Sequence, residues 1–208
     1  MKIVDVKSLE IPEVKIITYQ RFKDERGYFT ETYRKSEFEN NEQTPFLKGV
    51  DFTQVNESFS KKMVFRGFHF QWNSFMAKML RVINGNVIDM AIDIRPNSPT
   101  FGKAVGHELK TDSEQEKGEW IWIPVGFAHA VLFLEDSTIE YFCTGQWAPD
   151  TERCISPQSK DIDWSLMDKE VKSNIEKVIR DGLIINEKDK NGLTLENWKV
   201  SEDSKNFI

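Results

Sequence analysis

Apolar and polar residues alternate in short runs along most of this chain. Lys15–Tyr19, Gly27–Tyr33, Gly49–Ser58, Phe65–Trp72, Lys103–Glu108, Glu119–Pro124, Ala130–Leu134 and Thr138–Thr144 each read as a strand, with Gly and Pro between them. Asn84-Gly85 separates Leu80–Ile83 from Asn86–Ile94, and this dipeptide predicts a tight hairpin turn between two antiparallel strands. So many short strands predict a mainly β protein, a jelly roll or barrel. The period changes after Trp164. Met167, Val171, Ile175 and Val178 recur at helical spacing over 165–181, Ser165 with Asp168 resembles a capping box, and Gly182 follows the last turn. The expectation is one β domain over 1–164 and a C-terminal helix and tail over 165–208 packed on it.

Composition narrows the class. With 208 residues, 39% hydrophobic and 30% charged, the chain can bury one sizeable core. Its 15 Phe and 6 Trp favour β-structure or a pocket for a flat ligand. A net charge of −6 lacks the basic footprint of a nucleic-acid binder, but leaves room for a local basic pocket. No run reaches the roughly 18 apolar residues of a membrane span. MKIVDVKSLEIPEVK has no apolar core of a signal peptide, and Cys143 and Cys154 read as free thiols. A cytoplasmic protein with neither nucleic acid nor membrane as partner is expected.

The candidate chemistry begins at Arg66-Gly67-Phe68-His69-Phe70-Gln71-Trp72. Strand geometry places Phe68, Phe70 and Trp72 on one face, with Gly67, His69 and Gln71 on the other. A hydrogen-bonded structural histidine fits that pattern as well as a ligand-facing one. Only His69, His107 and His129 exist, and no H-x-H or H-x-x-x-H pair occurs. A metal-binding barrel wants two or more such groups close together. Neither a metal nor another cofactor is expected.

Beyond this point the reading rests on a resemblance. The chain resembles the dTDP-4-dehydrorhamnose 3,5-epimerase family from about Lys15 to Trp164, with a fainter return near Asp189. The matching blocks are Phe22–Glu31 (FKDERGYFTE), Gln54–Ser58 (QVNES), RGFHFQ around His69, Asp93-Ile94-Arg95 followed by Ser98–Gly102, and Ile123–His129 (IPVGFAH). The resemblance implies a metal-free, cupin-type double-stranded β-helix, homodimeric through an exchanged N-terminal strand, acting on a nucleotide-sugar substrate. It implies that His69 is a base, Asp189 its partner, Tyr141 an acid and Lys78 a cation near the sugar O4. A C–H beside a ketone is acidic because the carbanion delocalises as an enolate, so inversion needs a base on one face and a donor on the other. Taken alone, Tyr141 fits a packed barrel tyrosine and Lys78 a solvated surface group. Arg26, Glu31, Gln54, Asn56 and Arg66 match positions that hold the nucleotide and diphosphate, and Phe22 and Phe29 match aromatics near the base. Gln71 and His129 are further candidate ligand contacts, His129 also as a support for His69.

The chain departs from the family pattern at several points. Trp147 stands where many members carry a ligand-contacting tyrosine, Phe142 replaces a lysine, and Ala130 replaces a glycine. The loop from Trp72 to Ala77 is shorter, and the stretch after Trp164 is longer. An altered sugar, an altered nucleotide or inversion at one carbon only is therefore expected. The alternatives are a 3-only epimerase or 3,4-ketoisomerase, a non-catalytic sugar-nucleotide-binding barrel, and a metal-dependent cupin, which the histidine count opposes.

Overall fold

The computed structural model describes residues 1–207. Along the chain run β1 (Ile3–Ser8), β2 (Lys15–Gln20), β3 (Phe22–Asp24), β4 (Gly27–Phe29), α1 (Lys35–Asn40), β5 (Gln54–Ser60), β6 (Phe65–Gln71) and β7 (Lys78–Asp93). They are followed by β8 (Ala104–Thr111), β9 (Lys117–Ile123), β10 (Phe127–Phe133), β11 (Ser137–Cys143), β12 (Glu152–Ile155), α2 (Lys169–Gly182), α3 (Glu187–Lys190) and α4 (Leu195–Val200). All pairings between these strands are antiparallel. One sheet runs β1-β2-β9-β7-β11-β5 and the other β8-β7-β10-β6-β12, with β7 common to both. This is the expected mainly β jelly roll with helices at its C-terminal end.

The expected hairpin at Asn84-Gly85 does not form. A type I′ turn needs positive φ at both central residues. Gly85 has φ 103°, but Asn84 is not among the non-glycine residues with positive φ. The strand instead continues through Gly85 and crosses from one sheet to the other. A Cβ there would collide with the Ser137 side chain, so the bend requires glycine.

Alternation along the strands builds three apolar layers. Leu80, Val82, Val87, Ala91, Ile121, Phe127 and Ile139 fill the space between the sheets. Outside the first sheet, Tyr19, Met79, Trp120 and Trp122 pack with Phe38 of α1 and Leu47. Outside the second, Phe68, Phe70, Met90 and Leu132 pack beneath Val171, Ile175 and Val178 of α2, together with Trp198 and Phe207. Trp198 is fully buried, and its indole N–H donates to the Ile94 carbonyl at 2.8 Å. Truncating such a residue to alanine costs about 3–5 kcal/mol.

Helix α2 starts later than its period predicts. Asp168 is the N-cap, accepting from the N–H groups of Glu170 and Val171 at 2.8 and 3.2 Å. The Ser165/Asp168 capping box is therefore replaced by a single aspartate cap. Gly27–Tyr33 shortens to β4, which pairs only with β3 as a small hairpin. Gly49–Ser58 begins five residues later, as β5. Strands β1 and β12 lie in segments whose charge density hid them.

Candidate active site

His69 lies in the middle of β6, and its ring is held from behind by Asp189. Nε2 of His69 is 2.9 Å from Oδ1 of Asp189, while Oδ2 accepts the Gly67 N–H at 2.7 Å. Asp189 sits in the single-turn helix α3, where Asn186 caps its N–H at 2.7 Å, and it is 1% exposed. Burial pushes the Asp189 carboxyl up, but the bonds from His69 and Gly67 outweigh this and hold it below the ordinary value. A Cβ on Gly67 would lie 2.9 Å from the Asp189 Cβ, so only glycine allows this approach.

The other ring nitrogen of His69, Nδ1, has no hydrogen-bond partner among the described residues, and Glu152 Oε1 stands 3.4 Å away. Burial pulls the imidazole down, yet the two flanking carboxylates raise it above its ordinary value. The neighbouring His69 holds Glu152 down at about 2, helped by Lys188, whose Nζ lies 2.5 Å from Oε2. Across the β6–β10 pairing, His69 has His129 as its register partner. Nε2 of His129 lies 2.8 and 3.0 Å from the two oxygens of fully buried Asp89, and burial holds its imidazole below the ordinary value.

The first sheet supplies the remaining groups. Tyr141, on β11, is opposite Asn56 of β5 and Leu80 of β7. Burial raises its phenol, which keeps the proton in place at neutral pH. Burial also lowers the ammonium of Lys78 at the start of β7.

These side chains line one cavity of about 440 Å³ that opens into an adjoining lobe of about 360 Å³. Both lobes share His69, Lys78, His129, Tyr141, Trp147 and Glu152. Gln54, Asn56 and Gln71 border the first, and Arg66, Lys188 and Asp189 the second. The volume suits a small organic ligand rather than a polymer. Phe22, Arg26, Phe29 and Glu31 do not line the pocket of their own chain. Phe22 and Phe29 project from the β3–β4 hairpin, Arg26 pairs with Asp24, and Glu31 pairs with Arg34 and the amino terminus.

Three site groups escaped the sequence reading. Asp89 left a signal, because an acid in the apolar run Val87–Ile94 demands a buried partner. Lys188 adjoins Asp189. Glu152 lies in the unrecognised strand β12 and left none. The fold also brings His69, Cys154 and Asp189 within 4.8 Å of one another, a grouping of metal-type donors that linear spacing concealed. Within this trio His69 is already hydrogen-bonded to Asp189, and burial pushes the Cys154 thiol up to about 12, away from the thiolate a metal takes.

A carboxylate-backed imidazole on one sheet, sharing a cavity with a protonated phenol and a desolvated ammonium from the other, defines a jelly-roll isomerase that moves protons at carbon. The family model described as dTDP-4-dehydrorhamnose 3,5-epimerase matches residues 8–197. The dTDP-4-dehydrorhamnose 3,5-epimerase of Pseudomonas aeruginosa is 40% identical over 164 residues, 77% of this chain and 86% of that protein. The protein of the same description from Methanothermobacter thermautotrophicus is 40% identical over 196 residues, 93% and 92% of the two chains. Among solved structures, a dTDP-6-deoxy-D-glucose-3,5-epimerase from Legionella pneumophila Philadelphia 1, in complex with dTDP-4-keto-L-rhamnose, superposes with a TM-score of 0.77. It is 30% identical and matches 96% of each chain. The chain belongs to the dTDP-4-dehydrorhamnose 3,5-epimerase family.

Proposed function

We propose that this enzyme inverts carbon 3, carbon 5 or both of a nucleotide-linked 4-keto-6-deoxy sugar, in deoxysugar biosynthesis. The observation that carries the reading is the pairing of His69 with Asp189 in a cavity also lined by Tyr141 from the opposite sheet. His69 takes the proton beside the ketone, and the C–H electron pair moves into the enolate. Asp189 fixes the tautomer and supports the imidazolium. The Lys78 ammonium stabilises the enolate oxygen in a site where burial strips it of water. Tyr141 returns a proton to carbon from the other face, completing inversion.

Gln54, Asn56 and Arg66 hold the nucleotide and diphosphate, the arginine through its bidentate fork. Phe22, Arg26, Phe29 and Glu31 reach the site from a second copy. Two features support a homodimer: the β3–β4 hairpin pairs with nothing else in its own chain, and β5 is an edge strand with exposed Val55 and Phe59. The buried, unpaired Cys143 and Cys154 suit work in the cytoplasm. Among the described residues no helix is long and apolar enough to cross a membrane.

Trp147 favours a second reading, inversion at one carbon only. It lines both lobes and offers an indole N–H but no ionisable hydroxyl. Incubation with dTDP-4-keto-6-deoxyglucose in D₂O tests both. Inverted product with deuterium at both carbons supports double inversion, and inverted product with deuterium at one supports the second reading. No exchange into this or other nucleotide 4-keto sugars rejects both.

A further inference from the structure

Strand alternation puts Gln71 on the same face as His69, which in sequence marks it as a ligand contact. The structure uses its amide otherwise. Nε2 donates to the carbonyls of Ser74 and Gln146, each at 2.8 Å, and Oε1 accepts the Ala148 N–H at 3.1 Å. Gln71 is 3% exposed. Both donors are spent and one acceptor lone pair remains, so little of this amide is left for a ligand. The other side of the same segment is held by Gln54, whose Oε1 accepts the Trp147 N–H at 3.0 Å. Residues 146–148 thus bridge the mouth of the cavity, fastened by one glutamine from each sheet.

The Trp147 side chain itself has little to hold it, being 59% exposed while lining both lobes. Its place follows from the backbone that carries it. That backbone is tied through Gln71 to the 72–77 loop, which is braced from below. Phe75 and Trp72 pack on Phe207 with ring centroids 5.4 and 6.4 Å apart. We infer that Gln71 is a positioning residue, which by clamping residues 146–148 to the 72–77 loop sets the Trp147 indole at the cavity mouth and so controls how substrate is held. Only the identity of the substrate rests on the proposed reaction.

The test is Gln71→Met, which keeps the volume and removes all three hydrogen bonds. In ligand-free protein the backbone order parameter at Ala148 should fall from about 0.85 to below about 0.6. With a nucleotide 4-keto sugar, KM should rise about tenfold while kcat stays within about threefold. In a Trp147→Ala background the same change should leave KM unmoved, because the residue it acts through is gone. An unchanged order parameter, a loss confined to kcat, or a full additional penalty in the double variant would each overturn the inference. If Gln71→Met does not fold, Gly145→Ala separates the same segments, since its Cβ would lie 2.6 Å from Ser74 Oγ and 2.7 Å from the Phe75 carbonyl. That variant must loosen Ala148 likewise, and a rigid Ala148 overturns the inference. The order-parameter measurement needs no substrate, so its failure is distinct from failure of the proposed reaction.

Discussion

Glu152 stands 3.4 Å from the ring nitrogen of His69 that Asp189 leaves free, so the imidazole lies between two carboxylates. Both favour its protonated form, whereas the proposed base must be neutral. Activity should therefore fall as pH drops through a His69 pKa above the ordinary 6.5. Glu152→Gln removes one of the two stabilising charges, so the acidic limb of the kcat/KM profile should move to lower pH. A limb that stays in place would show that Glu152 does not act on the imidazole.

The same carboxyl affects acid stability. Glu152 is held at about 2 in the folded protein, against 4.5 ordinarily. A depressed carboxylate contributes stability that is present above the ordinary value and lost as pH falls toward the folded one. Acid unfolding monitored by circular dichroism should accordingly be less steep between those limits in Glu152→Gln than in the parent protein.

Asp189→Asn keeps the size of the side chain and removes its charge. The imidazolium loses its counter-charge, and kcat should fall by about 10³ to 10⁴. Because Asn186 and Gly67 still have a partner oxygen or N–H to meet, the thermal midpoint should move far less than the rate. Differential scanning calorimetry beside steady-state kinetics checks this.

Tyr141→Phe separates the two halves of the reaction. The base remains, so deuterium from solvent should still enter the substrate at carbon. Inverted product should fall by about 10² to 10⁴, the usual worth of a positioned acid. Equal loss of exchange and inversion would place Tyr141 outside the proton-donating role.

Gly67→Ala places a methyl group 2.9 Å from the Asp189 Cβ, against a carboxylate fixed by two hydrogen bonds, from Gly67 and His69. Crowding of this kind costs about 1–3 kcal/mol. Urea unfolding should show that loss, accompanied by a drop in kcat as Asp189 is pushed from His69.

Much of the architecture was legible because one face of each strand is buried. Phe65–Gln71, Ala104–Thr111, Lys117–Ile123 and Ser137–Cys143 fall within three residues of where alternation put them. Helix α2 was legible from Val171, Ile175 and Val178, which are all buried. Asn84-Gly85 misled because its local preference for a turn yields to sheet pairing on both sides of Gly85. At the site, His69 was visible as a polar residue among aromatics, but its partner Asp189 lies 120 positions away and came only from resemblance. Gln71 borders the cavity on the face that alternation gave it, but its bonds to Ser74, Gln146 and Ala148 were hidden, because alternation gives the face on which an amide lies and not which groups satisfy it.

Strand β7 carries Lys78 near one end and Asp89 in its second half, and both serve the same cavity. Before the bend the inward side chains include even-numbered Lys78, Leu80 and Val82; beyond it they are odd-numbered Val87, Asp89 and Ala91. The bend therefore acts as a parity switch between two walls of a single chamber. Removing or adding one residue at this point would turn either the lysine or the aspartate toward an outer apolar layer, while a change of two would restore both. Length at this corner is thus constrained by counting, independently of which amino acids fill it.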